Sequence, residues 1–361
     1  MKAAVWHGVR DIRVQEVPVR PSLGRQVKVQ VAWTGICGSD LHAFHHDMSK
    51  TPLGVSLDEP HKLSGRCAPL TMGHEISGTV VEVGPDARGV TVGGKIAVEP
   101  ILKDFDSGHV RRGHYNLGNF RAGEAGLLGF NDDGGFAEFV IIEDYMAHRI
   151  PETLSLEEAA MVEPMAVVLR AITESSFTVG DRVAVMGAGP IGLMTATALK
   201  AAGAREIFLV DIEPERLRIG AALGATTIDA RHMSAEHLIA DRTGGRGVDV
   251  VFEAAGVQAT LDTALRIAAK EGELVVLSVF ATPPTVDLGL VMINEIRIVS
   301  TFIYRHNFPQ VIDLMATKAI DVRPLITKKI ALTDIVSQGF DALTLDKTQA
   351  KVLVQPIGTH S

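Results

Sequence analysis

The sequence predicts a two-domain protein of the α/β class, with an all-β, barrel-like domain joined to a doubly wound parallel sheet. The 361 residues are more than one ordinary hydrophobic core holds. Residues 1 to about 150 carry short apolar alternations separated by Gly, Pro and Asp, as in 28–33 and 78–84, a spacing typical of barrel strands. From Val183 to about Thr301, strand-like and helical stretches alternate, which predicts a parallel sheet. The last sixty residues return to shorter, mixed elements and are expected to rejoin the first domain.

The composition, with 46% hydrophobic and 22% charged residues, is ordinary for a folded soluble protein. A net charge of −8 and scattered Lys and Arg residues predict no nucleic-acid partner. Cys37 and Cys67 are the two cysteines, which argues against a disulfide framework and favours a reducing compartment. Because residues 1–6 enter a strand-like pattern at once and no apolar run approaches ~20 residues, we expect a cytoplasmic protein with no membrane contact.

The second domain opens on a strand, a glycine turn, a helical run from Ile191, a second strand and Asp211. This order is typical of dinucleotide sites, although glycine turns between strands and helices also occur without a ligand. Gly187 permits the turn, Gly189 lets the backbone approach a pyrophosphate, and Gly192 lets the helix pack close to the strand.

The residues around that turn also fit a nucleotide. Pro190 falls near the first helical position, where a missing N–H costs little. The N–H groups at the start of the helix can then bind phosphate. Asp211 would accept ribose hydroxyls and repel a 2′-phosphate, which predicts NAD in preference to NADP.

Three polar clusters supply the ligand types of a catalytic zinc site: Cys37 within 35–42, His74-Glu75, and Glu163 before Pro164. Taken singly, each has a plainer interpretation. Cys37 could be a small buried side chain, His74 a hydrogen-bonded residue, and Glu163 the mark of a helix end. Spacing alone does not join them.

Together with the glycine turn, G-I-C-G-S-D-L-H (35–42), G-H-E-x-S-G-x-V-x-E-V-G (73–84) and V-E-P-M-A-V (162–167) resemble the zinc-dependent medium-chain alcohol dehydrogenase family. The polyol and (R,R)-2,3-butanediol dehydrogenase branch is the most similar, nearly end to end. The resemblance implies a GroES-like β-barrel-type catalytic domain at 1–163 and 304–361. It also implies a Rossmann NAD-binding domain at 164–303.

Carried over position by position, the resemblance makes Cys37 and His74 zinc ligands, with Glu75 and Glu163 as carboxylates at or next to the metal. It does not decide between the two glutamates. It implies further roles for three residues: Asp40 orients the histidine ligand, Ser39 passes a proton outward, and His42 delivers it towards solvent. The plainer alternatives are a turn serine for Ser39 and a surface residue for His42.

On the cofactor side, the resemblance places Arg216 beside the adenosine ribose, although a solvated salt-bridge partner is its plainer interpretation. It implies that two short stretches line the nicotinamide end: Ser278, Val279 and Phe280, and Thr301, Phe302 and Ile303. We therefore expect NAD and one zinc per chain as cofactors, and a homodimer or homotetramer formed through the sheet edge near 296–302.

The sequence departs from the family in two places. Many members carry a structural zinc on four cysteines, but the matching positions here are Asp104, Ser107, Val110 and Gly118, so no structural zinc is expected. Sorbitol and xylitol enzymes have a tyrosine where this chain has Ala43 followed by Phe44, and an arginine where it has Ile303 before Tyr304.

With that tyrosine hydroxyl and that guanidinium lost, the substrate residues Phe44 and Tyr304 are expected to contact a small vicinal diol or acyloin of the 2,3-butanediol type. Arg305 and His306 could supply replacements. A polyol dehydrogenase is therefore the alternative. A zinc-free reductase and a non-catalytic NAD-binding protein on the same scaffold are more distant ones.

Overall fold

The computed structural model describes residues 1–48 and 57–357. Residues 358–361, the end of the predicted first domain, lie outside this part. The strands are β1 Lys2–Gly8, β2 Asp11–Glu16, β3 Gln26–Gly35, β4 Leu70–Thr71, β5 Glu75–Val83, β6 Lys95–Val98, β7 Ile101–Lys103, β8 Ala125–Leu127, β9 Phe139–Glu143, β10 Ala147–Arg149, β11 Arg182–Met186, β12 Glu206–Asp211, β13 Thr226–Asp229, β14 Val248–Glu253, β15 Ala268–Val276, β16 Arg297–Ser300, β17 Ile326–Ala331 and β18 Lys351–Gln355.

The helices connect and cover these strands. They are α1 Gly38–His45, α2 Gly108–Arg111, α3 Leu156–Ala159, α4 Val162–Glu174, α5 Pro190–Ala201, α6 Pro214–Ala222, α7 Ala235–Thr243, α8 Gln258–Ile267, α9 Leu288–Asn294, α10 Phe308–Ala316 and α11 Asp341–Leu345. In the described residues, none of them is long and apolar enough to cross a membrane.

The first part of the chain forms the β-rich region that the sequence predicts. Its main sheet runs β10-β6-β5-β3-β18-β17, with β9 also paired to β3, and β1 lies between β2 and β4 in a second sheet. The C-terminal strand β18 is antiparallel to β3, so the last part of the chain does return to this sheet. The boundaries of the two domains stay a prediction.

The middle of the chain forms a parallel sheet in the order β13-β12-β11-β14-β15-β16. The chain builds β11 to β13 in one direction and then crosses back to β14, so the direction reverses between β11 and β14. Ligands of such sheets bind at the carboxyl ends of the strands, where the order reverses. The turn at Gly187 follows β11 at this point.

Two of the predicted strands differ from the observed ones. The pattern predicts strands at 273–279 and 296–302, whereas β15 ends at Val276 and β16 ends at Ser300. The apolar pattern continues past the last ladder hydrogen bonds, and an apolar run does not mark where pairing stops. The predicted nicotinamide-lining residues therefore lie in the segments that follow these strands.

Helix α4 joins the two regions and carries Glu163 in its first turn. Its inward side is buried in one apolar cluster with residues of β11, α5 and α10. Glu163-Pro164 therefore begins a helix, and the interpretation as a helix end is wrong. Proline is tolerated there because the first four N–H groups of a helix have no intrahelical partner.

Candidate active site and cofactor cleft

Cys37 and Asp40 are fixed by the start of α1. Cys37 occupies the position before the helix, and its backbone N–H donates to Asp40 Oδ2 at 2.9 Å. Asp40 is fully buried, and its other oxygen, Oδ1, lies 3.5 Å from Nδ1 of His74. The capping carboxylate thus faces the imidazole that the sequence predicts it to orient.

His74 is buried against Ser39 and Asp40 in the first turn of α1. Its Nε2 lies 3.3 Å from the Ser39 hydroxyl, while Nδ1 faces Asp40. Burial alone would lower the pKa of His74, but the Asp40 carboxylate and the Cys37 sulfur outweigh it and raise the pKa well above its usual range. Nε2 therefore faces the Ser39 hydroxyl, and Nδ1 faces the Asp40 carboxylate.

Glu75 forms a buried ion pair with Lys351, which the sequence did not predict. The ammonium group lies 2.6 and 2.8 Å from the two carboxylate oxygens, and Glu75 is 0% and Lys351 2% exposed. Gly35 makes room for the pair, because a Cβ there would lie 1.8 Å from Glu75 Oε2. Both oxygens of Glu75 are thus held by a cation of the chain itself.

Glu163 is another buried carboxyl group close to His74. Burial raises its pKa to about 7, while the positive charges of His74 and Lys351 act in the opposite direction. The fully buried Tyr304 hydroxyl has no well-aligned hydrogen bond, but it acts on the Glu163 carboxyl closely enough to favour its anion. Among the described residues, no Lys, Arg or His forms an ion pair with Glu163, whereas Lys351 forms one with Glu75.

The donor set fits zinc in chemical type: a thiol, an imidazole with one nitrogen oriented by an acid, and a carboxyl group. In residues 1–48 and 57–357, however, no three His, Cys, Asp or Glu side chains are already arranged to hold a metal ion. Ser39 contacts Nε2 of His74, and Lys351 binds Glu75, so two of the predicted metal ligands are in contact with other side chains. The ligand roles stay predictions.

The remaining predicted residues near this centre differ in their surroundings. His42 is an exposed residue. Its pKa is lowered, mainly by partial desolvation and to a smaller extent by the charge of His46, whose ring centroid lies 6.0 Å away. Phe44 is buried and packs on Phe340 with ring centroids 5.1 Å apart. Phe44 thus contributes to an apolar core, while Tyr304 lies next to Glu163.

The glycine turn has the geometry that the motif predicts. Gly187 has φ +100°, a conformation that favours glycine, and α5 begins at Pro190, before Ile191. A Cβ on Gly192 would lie 1.8 Å from the Gly187 carbonyl oxygen. Close packing of helix and strand therefore requires glycine at that position.

Asp211 closes the turn. One oxygen accepts from the Ala188 N–H at 2.5 Å, and the other accepts from two N–H groups that follow β12. Gly189 faces Arg216, whose Nη1 would lie 4.0 Å from an added Cβ. Arg216 donates a hydrogen bond to the Gln349 carbonyl oxygen at 3.3 Å, so this contact is with the backbone and not with an acidic side chain.

The two stretches predicted to line the nicotinamide end lie after β15 and β16. Ser278 hydrogen-bonds the buried Glu253, and Val279 is half exposed. Thr301 and Ile303 are partly buried, and Ile303 has φ +46°, which is unusual for a β-branched residue. Phe280 packs against the core of the parallel sheet, and the ring of Phe302 lies 5.6 Å from that of Phe120.

The lobe of residues 103–124 lacks the four cysteines, but polar contacts and packing hold it. Lys62 pairs with Asp104 at 2.7 Å, and Ser107 hydrogen-bonds Glu124 at 3.2 Å. Asn116 donates to the Phe302 carbonyl at 3.1 Å, which ties the lobe to the predicted nicotinamide segment. The predicted absence of a second zinc stays a prediction.

Sequence reasoning missed Lys351 and Glu253. Each occupies one end of an apolar strand, where a charged residue usually faces solvent. The sequence shows in each case a single charged residue beside an apolar strand, and this pattern does not indicate which residue the charge contacts.

Two families match the chain: "Alcohol dehydrogenase GroES-like domain" over residues 24–152 and "Zinc-binding dehydrogenase" over residues 190–317. The (R,R)-butanediol dehydrogenase of Bacillus subtilis (strain 168) is 41% identical and covers 99% of this chain and 100% of its own. The sorbitol dehydrogenase of the same organism is 33% identical, covering 99% and 97%.

The crystal structure of 2R,3R-butanediol dehydrogenase from Bacillus subtilis superposes with a TM-score of 0.90 at 40% identity, covering 99% of each chain. These matches confirm the predicted fold class, a GroES-like domain with a Rossmann-type parallel sheet, and the predicted class of enzyme. The chain therefore belongs to the zinc-binding alcohol dehydrogenase family.

Proposed function

We propose that the protein oxidises a secondary alcohol of a small vicinal diol of the 2,3-butanediol type, using NAD and one zinc ion, and reduces the acyloin in the reverse direction. The observation that supports this most is the orientation of His74 by the buried Asp40, with Cys37 close enough to act on His74 and His74 close enough to act on Glu163. Because Lys351 holds Glu75, we propose Glu163 as the carboxylate ligand at rest.

Each residue then has a defined task. Asp40 keeps His74 Nδ1 protonated, so that Nε2 is the donor towards a metal. When bound, zinc supplies a Lewis acid that makes an alcohol hydroxyl far more acidic. Ser39 lies next to Nε2, where its hydroxyl can take up the substrate proton and pass it outward, and the exposed His42 can deliver that proton to solvent.

The cofactor cleft supports NAD as the hydride acceptor. The glycine turn lies at the switch point of the sheet, and the N–H groups at the start of α5 suit a pyrophosphate. Asp211 stands at the end of β12, where a carboxylate accepts ribose hydroxyls and repels a 2′-phosphate.

The substrate class rests on Ala43 and Ile303, two apolar residues that stand where polyol dehydrogenases carry a tyrosine and an arginine. Ala43 and Phe44 are buried, and Tyr304 is fully buried beside Glu163. A polyol is the second candidate, because the similar proteins include a sorbitol dehydrogenase.

A substrate panel of diols and polyols with NAD and NADP tests the proposal. We expect the highest kcat/KM with 2,3-butanediol and NAD, and loss of activity on chelation with recovery on adding zinc. A clearly higher kcat/KM for sorbitol or xylitol would favour the polyol candidate. NAD binding without any turnover of a diol or polyol would support the non-catalytic alternative.

We also propose that the chain forms a homodimer through β16 and α9, with a homotetramer as the alternative. Leu288, Met292 and Ile293 on α9 are 69%, 72% and 72% exposed, and β16 ends the sheet. Light scattering should give a dimer mass that falls to a monomer mass in Met292→Glu. An unchanged mass in this variant would contradict the interface. Free Cys37 and Cys67 fit the proposed cytoplasmic location.

A further inference from the structure

Glu253 is a buried carboxyl group at the carboxyl end of β14, next to the reversal point of the sheet. It is 0% exposed. Its Oε1 accepts from the N–H groups of Ala255 and Gly256 at 3.0 and 2.9 Å and lies 2.7 Å from the Thr260 hydroxyl. Its Oε2 contacts the Ser278 hydroxyl. The backbone groups can only donate and the hydroxyls are able to, so these contacts suit an ionised carboxylate.

Within the part of the chain that the structure describes, the charge of Glu253 has no cation beside it. In residues 1–48 and 57–357, no Lys, Arg or His makes an ion pair with Glu253, whereas Glu75 and Glu273 each have one. Burying a charge without a partner is unfavourable. The contacts that the described residues make with Glu253 are neutral groups, and they hold its carboxyl group at the carboxyl end of β14, beside the cleft.

The contacts of Glu253 also connect the two halves of the cleft. Ala255 lies against the glycine turn, because a Cβ on Gly187 would be 3.0 Å from its Cβ. On the other side, a Cβ on Gly256 would lie 2.8 Å from the Val279 carbonyl oxygen. One carboxylate thus holds a loop between the predicted phosphate turn and the predicted nicotinamide end.

We propose that Glu253 positions this loop and that its negative charge makes the protein favour the oxidised nicotinamide over the reduced one. The inference rests on the proposed NAD site. The oxidised ring carries a positive charge that it loses on accepting hydride, so an unpaired anion in the same low-dielectric cleft stabilises the bound oxidised form selectively. Because a purely structural role would weaken both forms alike, the ratio of the two dissociation constants reports the charge.

The test is the Kd of NAD and of NADH, measured by calorimetry and fluorescence on the zinc-loaded enzyme, with the Tm of each variant. In Glu253→Gln, we expect Kd for NAD to rise about tenfold more than Kd for NADH. A tenfold change corresponds to about 1.4 kcal/mol of binding free energy. Glu253→Asp keeps the charge and should keep the wild-type ratio.

Two controls separate charge from packing. Glu273→Gln alters another fully buried carboxyl group in the sheet, which pairs in register with Val250, three residues before Glu253. Thr260→Val removes a neutral contact and keeps the charge. Both should leave the ratio within twofold of wild type. If Glu253→Gln does not fold, Thr260→Lys places a cation beside Glu253 and should shift the ratio in the same direction.

A ratio unchanged in Glu253→Gln, or in Thr260→Lys where the former does not fold, would overturn the inference. An equal shift in Glu273→Gln would also overturn it. Wild-type protein that binds neither NAD nor NADH would instead refute the proposed function, which makes the two failures distinguishable.

Discussion

Replacing Lys351 with methionine should destabilise the fold by about 3–5 kcal/mol, the cost of removing one partner from a buried ion pair. Its ammonium group lies 2.6 and 2.8 Å from the oxygens of Glu75 and 3.4 Å from the Ile36 carbonyl oxygen. Since Glu75 is 0% exposed, water cannot replace the lost contacts. The methionine fills a similar volume, so most of the loss reflects the uncompensated carboxylate.

Urea unfolding of metal-free protein, followed by circular dichroism, measures this free energy without a contribution from zinc. Lys329→Met is the matched control, because its partner Glu157 lies at 2.5 Å but the two side chains are 47% and 36% exposed, and such pairs contribute under ~1 kcal/mol. Adding Glu75→Gln to Lys351→Met should recover part of the loss. If Lys351→Met costs no more than Lys329→Met, or the double variant is no more stable than Lys351→Met alone, the reasoning is refuted.

Three further predictions concern pH, cofactor choice and metal content. Burial raises the pKa of Asp132 to about 6, so ionisation of this carboxyl group destabilises the fold as pH rises from about 4 to 6. Over that pH range, the unfolding free energy of Asp132→Asn should rise relative to wild type by up to ~3 kcal/mol. A difference between the two proteins that does not change with pH would contradict this. Asp211→Ala should reduce the ratio of kcat/KM for NAD over NADP at least tenfold and should lower Tm, since the carboxylate accepts from Ala188 N–H; full discrimination against NADP would count against its role. Metal analysis of purified protein should give one zinc per chain, because Asp104 pairs with Lys62 and Ser107 with Glu124 where other members have cysteines; two zincs would be the contrary result.

Much of the cofactor cleft could be predicted from the sequence because its elements are local. The strand, glycine turn, helix and acid from β11 to Asp211 follow one another along the chain, and periodicity with glycine placement specifies them. The observed helix α5, Pro190–Ala201, lies within one residue of the predicted run.

The metal centre could not be derived from local pattern, because its parts are brought together by strand pairing. Cys37 and His74 are adjacent because β3 pairs with β5, in the register Gly35 to Glu75. Only the resemblance to a family joined these residues beforehand. The ion pair of Glu75 with Lys351 depends on β18 pairing with β3 across more than three hundred residues, and no spacing rule reports such a contact.

The sequence also did not predict where the strands end or which charged residues are buried. The apolar run continued past Val276, whereas the ladder ends there and Ser278 contacts Glu253. A charged residue at the end of an apolar strand gives no sign of whether it faces solvent or a neighbouring strand, so both Lys351 and Glu253 were missed.

The most direct test of the account is NADH formation from 2,3-butanediol by one protein sample before chelation, after chelation and after zinc is restored. We predict that absorbance at 340 nm grows in the first and third states and not in the second, and that Cys37→Ala abolishes it in all three. Undiminished NADH formation in the chelated sample, or full activity of Cys37→Ala, would contradict the proposed zinc site.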